Sequence, residues 1–294
     1  MSKYTVQEVD TDNEIRHNGA PDRYVLCSGG INSVAMAHKM LEEEWSDDYS
    51  AWDKRPVVIY ADTTIGLSSQ RIYVQLLARK YNWQTWFCQT HQPFDQYSKE
   101  EGFHGNQGHN GIFNVLKGRQ FQTIATKSAN PHLYFGSLLE EKGDHINRME
   151  WRDDLGAYTH NPILNWSEQD CVDYLRDREV PYNPNWESPH FTDCGCGATA
   201  SREELIELEA EGYEIFAEKL RDLEKEVKTG DKRETWAWGS FEPNEQQWMD
   251  AEADDEQTQL SDIACGGDNC SSSCINRPLP DGGQSANGGK EVDQ

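Results

Sequence analysis

The sequence predicts a doubly wound α/β fold with a mostly parallel sheet, followed by a helical extension and an acidic tail that reads as disordered. Three observations carry this. From Arg23 onward, short apolar runs alternate with stretches of helical period, a succession that implies parallel strands joined by right-handed crossovers. Past residue 201 an apolar stripe recurs at spacings of three and four. Beyond Trp238 the chain turns acidic and polar, with too little apolar surface to pay for its own ordering.

Taken in order, residues 1–20 are polar and without clear period, and they read as a flexible lead-in. Tyr24 to Cys27 form a short buried strand, Gly29-Gly30 the turn, and Ile31, Val34, Ala35, His38 and Leu41 a helix that ends in the acidic run 42–44. A second strand, PVVIYAD, stops at Asp62. After a loop over Thr63 to Gly66, a helix starts near Ser68 with Ile72, Leu76 and Ala78 turned inward, and TWFCQ is the third strand. The stretch from His91 to Arg119, rich in Gly, His, Asn and Gln, reads as a long loop or flap over the site. LYFGS, residues 133–137, reads as a further strand at the sheet edge. Ser167, with Asp170 three positions on, caps a helix carrying Cys171, Val172, Tyr174 and Leu175. Pro181 and Pro184 then favour an extended connection. Ser201 and Glu204 make a second capping box. Leu205, Leu208, Gly212, Phe216, Leu220, Leu223 and Val227 predict one long amphipathic helix to about Lys228. The expected organisation is an α/β domain over 21–200, a helical extension over 201–238 and the tail over 239–294.

With 10 Trp, 12 Tyr and 9 Phe, the centre of this 294-residue chain is expected to fold. Its net charge of -25, from 52 acidic and 27 basic residues, disfavours nucleic acid, which is bound through basic side chains that displace counterions. Because the acidic residues are spread along the chain, adaptation to a salt-rich cytoplasm is the second reading of the charge. No apolar run is long enough to span a bilayer, and the first residues lack the apolar core of a signal peptide. A cytoplasmic protein is expected, and its 8 cysteines are then reduced, metal-bound or redox-active in preference to disulfide-bonded.

The chemistry centres on Cys27-Ser28-Gly29-Gly30-Ile31-Asn32-Ser33. Glycines let the backbone approach an anion, successive amides and the helix start aim partial positive charge at it, and Ser28 and Ser33 add hydroxyls. Two glycines after a strand also serve as plain turn chemistry. Asp62 and Thr63 end a neighbouring strand, at the edge where open α/β sheets bind ligands. An aspartate there can hold a ribose hydroxyl, an amino group or Mg²⁺, or can cap its own loop.

SGGINS resembles the SGGxxS pyrophosphate loop of the PP-loop adenine nucleotide α-hydrolase superfamily, and VVIYADT the second-strand motif of its phosphoadenosine phosphosulfate (PAPS) reductase-like branch. NPILNWSEQDCVDYLRDREVPYNPNW is similar to that branch's Pro-apolar-Trp-Ser, helix, Val-Pro-Tyr-Asn-Pro segment, and Asp193 to Gly197 stand where many members carry paired cysteines. The resemblance runs from Arg23 to Gly197. It implies that Ser28, Gly29, Gly30, Asn32, Ser33, Asp62, Thr63 and Gly136 bind ATP, adenylyl sulfate or PAPS, with chemistry beside the α-phosphate. Where the family carries Gly-x-Arg and Glu-Ser, this chain has Gly136-Ser137-Leu138 and Glu140-Glu141, so the anion-gripping arginine is missing; Arg148 and Arg152 are the substitutes within reach of the sequence. The intact serines resemble ATP-using members, and no Glu-Cys-Gly-Leu-His-like reductase segment is present.

Cys194 and Cys196 pair closely, and Cys265, Cys270 and Cys274 cluster in the tail. Thiolates of this kind suit Zn or an iron-sulfur cluster, with Cys194, Cys196, Cys265 and Cys270 as the ligand set. Alternatively Cys270 and Cys274 are redox or sulfur-relay thiols, the catalytic pair of a reductase. Cys27 and Cys88 read as buried strand residues. Histidines 91, 104, 109, 132 and 145 read as loop residues facing phosphate or solvent, and Trp166, Tyr174, Tyr182 and Trp186 as core packing. Three functions follow: a sulfonucleotide reductase reset by a thioredoxin-like donor, an ATP-dependent adenylating sulfurtransferase with nucleic acid among its acceptors despite the charge, or a nucleotide-binding subunit without catalysis. A homo-oligomer is compatible with each.

Overall fold

In the computed structural model, residues 6–10, 21–46, 55–90, 92–103, 109–142, 146–187, 194–197 and 200–226 are described. Among the described residues seven strands form one sheet: β1 (Val6–Asp10), β2 (Arg23–Leu26), β3 (Val57–Asp62), β4 (Thr85–Gln89), β5 (His132–Tyr134), β6 (Met149–Arg152) and β7 (Ala157–His160). Their order is β1-β4-β3-β2-β5-β7-β6, and every pair is parallel except the β6–β7 hairpin. The inner strands are apolar throughout, as strands covered on both faces must be: Tyr24, Val25, Val57, Val58 and Ile59 are at most 1% exposed. β2 sits at the middle of the sheet, so the loop that leaves it emerges between the two halves.

Helices cover both faces. The helix α1 (Ile31–His38) continues as a π-helical turn over Lys39–Glu44, and α2 (Ser68–Tyr81) joins β3 to β4. One core cluster holds Val25, Val34, Val58, Val74, Leu77, Phe87, Cys171 and Trp186; on the other face Tyr24, Leu26, Ile59, Trp86, Phe121 and Leu133 cluster. α2 buries Gln70, Tyr73, Val74, Leu77 and Ala78, a stripe at spacings of three and four. This corrects the expected facing: Ile72 and Leu76 are about half exposed, because the stripe is rotated by one residue toward Tyr73 and Leu77.

The segment expected to be a flap is largely helical where it is described. α3 (Phe94–Glu101), α4 (His109–Phe113), a π-helical turn over Asn114–Gly118 and α5 (Arg119–Ala125) occupy it. Its Gly, Asn and Gln content masked a helical spacing of Phe94, Tyr97, Ile112, Val115 and Leu116, all buried in a third apolar cluster. β5 is likewise no edge strand but lies between β2 and β7. The true edge beyond it is the β6–β7 hairpin, which the polar alternation of MEWR did not announce.

After α6 (Leu139–Lys142), α7 (Glu168–Asp177) starts at the expected capping box: Ser167 Oγ accepts from Asp170 N at 3.1 Å while Asp170 accepts from Ser167 N at 2.8 Å. The expected single C-terminal helix is two, α8 (Arg202–Ala210) and α9 (Glu214–Glu226), packed as a hairpin. Gly212 breaks the run with φ +97°, a conformation a side chain resists, so a residue read as part of the stripe is the turn. Val6–Asp10 pairs in parallel with β4, where residues 1–20 showed no period. Val227, Trp236, Trp238 and the tail with Cys265, Cys270 and Cys274 lie outside the described residues.

Candidate functional site

The Ser28–Ser33 loop leaves the carboxyl end of β2 and enters α1. Gly29 adopts φ +90°, which accounts for a glycine there, and Gly30 caps the helix in an extended conformation without any side-chain cap. No acidic residue occupies the first turn of α1. The helix start thus presents its amides and about half a positive elementary charge to whatever lies above it. Ser28 Oγ and Ser33 Oγ face each other at 3.1 Å, and Ser33 Oγ donates to Gly30 O at 2.9 Å. Ser28, Gly30, Asn32 and Ser33 are half-buried, within reach of a ligand, while Gly29 is buried behind them.

What holds Gly29 was not legible as function. Its carbonyl accepts from Trp186 Nε1 at 2.9 Å and from Asn183 Nδ2 at 3.2 Å. Asn183 is fully buried and also donates to Gln70 Oε1, which accepts from Asn185 Nδ2 at 3.3 Å as well. This amide cluster fixes the Gly29 carbonyl and with it the backbone of the turn. Asn183 and Trp186 belong to the NPNW segment, which forms a 3₁₀ turn over Pro184–Glu187 and not an extended connection. The other side of the loop is closed by Gly136: a Cβ there would stand 2.7 Å from Asn32 O and 2.8 Å from Ser33 Cα. The β5–α6 turn thus lies directly on the first turn of α1, and Asn32 Nδ2 donates to Glu141 Oε1 at 2.6 Å.

Asp62 stands at the end of β3, beside the loop. Its Oδ1 accepts from Thr64 N at 2.9 Å, and its Oδ2 pairs with Arg71 Nη1 at 3.1 Å. Both oxygens point at protein donors, so the carboxylate suits a hydroxyl approaching its remaining lone pairs better than it suits Mg²⁺. Thr63 is buried at 1% exposure, whereas Thr64, held at φ +64°, gives its hydroxyl to Thr63 O and accepts from Phe94 N at 2.8 Å. Lys219 Nζ on α9 reaches Thr64 O at 3.0 Å, which ties the helical extension to this loop.

The cysteines divide by burial. Burial pushes the Cys88 thiol up to about 12 and the Cys171 thiol upward as well, which holds both as neutral thiols, and Cys27 is a core residue at 1% exposure. Cys196 is buried, Cys194 half-buried, and both lie against the loop after β3: Gly195 N donates to Ile65 O at 3.2 Å. A Cβ at Gly195 would meet Phe216 Cζ at 2.4 Å and Ile65 O at 2.6 Å. Among the described residues no three His, Cys, Asp or Glu side chains converge on a metal position. Cys194 and Cys196 would be two of the four ligands that zinc or a cluster takes, and Cys265 and Cys270 lie outside the described residues.

Neither substitute arginine is near the loop by any described contact. Arg152, on edge strand β6, is paired with Asp154 at 3.0 Å and Glu150 at 3.5 Å; Arg148 directly precedes that strand. Arg71 is the cation the sequence reading passed over, because it lies in the first turn of a helix and outside every motif. Of the histidines, His91, His104 and His145 lie outside the described residues. His132 is no loop residue: it lies on β5 with Nδ1 2.8 Å from His160 Nε2, and burial lowers the His160 pKa to about 4, helped by His132.

An uncapped helix start behind a glycine turn at the middle of a parallel sheet, with a carboxylate at the next strand end, has the geometry of an anion-binding site at the carboxyl edge of an α/β sheet, as the PP-loop resemblance implies. The family model for the phosphoadenosine phosphosulfate reductase domain matches residues 23–201, and the chain belongs to this family. Among solved structures, the phosphoadenylyl-sulfate reductase of Candida auris, in a phosphate complex, is 16% identical, over 55% of this chain and 75% of that one, with a TM-score of 0.42. The FMN adenylyltransferase of Candida glabrata, in complex with FAD and inorganic pyrophosphate, is 14% identical, over 58% of this chain and 53% of that one, with a TM-score of 0.40. Among curated proteins no sequence matches. No described helix is long and apolar enough to cross a membrane.

Proposed function

We propose that this chain is an enzyme that binds an adenine nucleotide through its phosphates at Ser28–Ser33 and reduces adenylyl sulfate, or its 3′-phosphorylated form, to sulfite. The observation that carries the reading is the loop itself: Gly29's carbonyl is held by Trp186 and Asn183, and two half-buried serine hydroxyls stand beside a helix start that has no side-chain cap. Membership of the PAPS reductase family supports the choice of substrate.

In this reaction a thiolate attacks the sulfur of the sulfonucleotide and forms a sulfur–sulfur bond. The bond from sulfur to the phosphate oxygen breaks, and the nucleotide leaves with that electron pair. A second thiol then attacks the enzyme sulfur, a disulfide forms, and sulfite departs; a thioredoxin-like dithiol restores both thiols. Cys270 and Cys274 are proposed as the pair. Cys194, half-buried beside the loop after β3, is the one described thiol open to exchange with them. Ser28–Ser33, Asp62 and Gly136 position the nucleotide and shape the pocket around its phosphates. The alternative use of these thiols is zinc or a cluster on Cys194, Cys196, Cys265 and Cys270, which would supply a structural clasp on the tail and would withdraw Cys270 from the reducing pair.

A second reading rests on the Ser28–Ser33 hydroxyl pair, which also suits the pyrophosphate of ATP. ATP would then adenylate an acceptor with release of pyrophosphate before sulfur transfer. Anaerobically purified protein incubated separately with ATP and with the two sulfonucleotides decides between them. Sulfite release supports reduction and pyrophosphate release supports adenylation; nucleotide binding without either product leaves a nucleotide-binding subunit.

A further inference from the structure

Asp62 and Arg71 form a pair whose place in the sheet gives it a task. α2 side chains lean toward the helix N-terminus, so Arg71, in the first turn, reaches back over the end of β3. There its guanidinium meets Asp62 Oδ2 at 3.1 Å and covers the Phe87 ring at 5.4 Å, while Thr64 N fixes the other carboxylate oxygen. Gln120, fully buried, donates to the Asp62 carbonyl at 3.4 Å. Both side chains of the pair keep an open side: that of Arg71 is 25% exposed and that of Asp62 20%. The residue before Arg71, Gln70, has its Oε1 3.1 Å from where a Gly29 Cβ would stand. The pair is therefore one residue away from the phosphate loop along α2.

β3 neighbours β2, so a nucleotide with its phosphates on the β2 loop that extends toward this side would bring its ribose over Asp62. We propose that the Asp62–Arg71 pair is the ribose selector, accepting a ribose with free 2′ and 3′ hydroxyls and rejecting one that carries a 3′-phosphate. The inference rests on the proposed nucleotide reading and narrows its substrate to adenylyl sulfate or ATP. A carboxylate locked by two donors still has lone pairs for O–H groups, but it repels a phosphate dianion brought against it. Arg71 already gives Nη1 to Asp62 and stacks on Phe87, so a phosphate brought to it would compete with the carboxylate for the same cation.

Binding of AMP and of adenosine 3′,5′-bisphosphate to the full chain, measured by calorimetry at fixed salt, tests this without turnover. The wild type is expected to prefer AMP at least tenfold. Asp62→Asn, which removes the repulsion and releases Arg71, should bring the ratio to unity or invert it. Arg71→Lys should keep the preference, and Arg71→Gln should weaken AMP several-fold as the carboxylate loses its orientation, with circular dichroism melting confirming folded variants. Tighter binding of the bisphosphate by the wild type, lost in Arg71→Gln, would overturn the proposal and make Arg71 a phosphate reader. Equal binding of both ligands would overturn it while leaving the nucleotide reading standing. If neither ligand binds, that reading and the selector fall together.

Discussion

The indole N–H of Trp186 donates to the carbonyl of Gly29 at 2.9 Å, across 157 positions of sequence. Through this bond the segment that follows α7 sets the backbone of the loop that follows β2. Trp186→Phe keeps a buried ring and removes only the donor, and Asn183 still holds the carbonyl. A stability loss of about 1 kcal/mol is expected in urea unfolding, the net worth of one hydrogen bond. Nucleotide affinity should fall further than stability, by about tenfold (about 1.4 kcal/mol), because the loop amides lose their common aim. An affinity unchanged beside lowered stability would confine Trp186 to packing.

Gly136 allows the β5–α6 turn to lie on the first turn of α1. In Gly136→Ala the new methyl would press on Asn32 O and Ser33 Cα, backbone atoms that cannot rotate away. Overpacking of this kind costs about 1–3 kcal/mol. The displaced part is the anion-facing turn, so nucleotide binding should be lost while the far-ultraviolet spectrum of the sheet and helices persists. Retained binding would remove Gly136 from the site.

The acid stability of the fold is expected to depend on His38. It is 5% exposed, its Nδ1 lies 2.9 Å from Tyr174 Oη, and burial lowers its pKa to about 4. The unfolded chain binds a proton on this ring near pH 6.5 while the folded chain refuses it until about pH 4. Its contribution is therefore whole above pH 6.5, drains away as pH falls to 4, and changes no further below. His160, also lowered to about 4, acts in the same window. Urea midpoints measured from pH 8 to 3.5 should fall across that window, and His38→Gln should flatten the fall.

Much of the fold could be read from spacing because spacing and burial coincide in parallel strands and capped helices. Tyr24–Cys27, Val57–Asp62 and Ser167 with Asp170 each announce themselves within a few residues. What escaped depends on partners distant in sequence. The helical spacing of Phe94, Tyr97 and Ile112 was hidden by interleaved polar residues, and Gly212 sits in register with the apolar stripe it interrupts. In the candidate site, the turn over Ser28–Ser33 and the position of Asp62 at a strand end could be read because glycines and strand ends are local signals. Asn183, Trp186 and Arg71 were not, since an amide, an indole and a cation gain their roles only from what the fold sets against them.

The thiols offer the last test, because burial sorts them before any assay of turnover. A thiol reacts as its thiolate and only when a reagent can reach it, so Cys27, Cys88 and Cys171 should resist a maleimide in the native protein. Cys194, half-buried, should be modified, and Cys196, at 7% exposure behind Gly195, should lag. Peptide mapping by mass spectrometry, before and after unfolding, reads each site separately. If the tail supplies the reducing pair, Cys270→Ser and Cys274→Ser should each abolish sulfite release while Cys194→Ser slows it. If Cys194→Ser alone abolishes it and the tail variants do not, the electrons come from the pair beside Ile65. That outcome would move the thiol chemistry onto the Cys194-Gly195-Cys196 turn, whose glycine already lies against the nucleotide-side loop through its bond to Ile65 O.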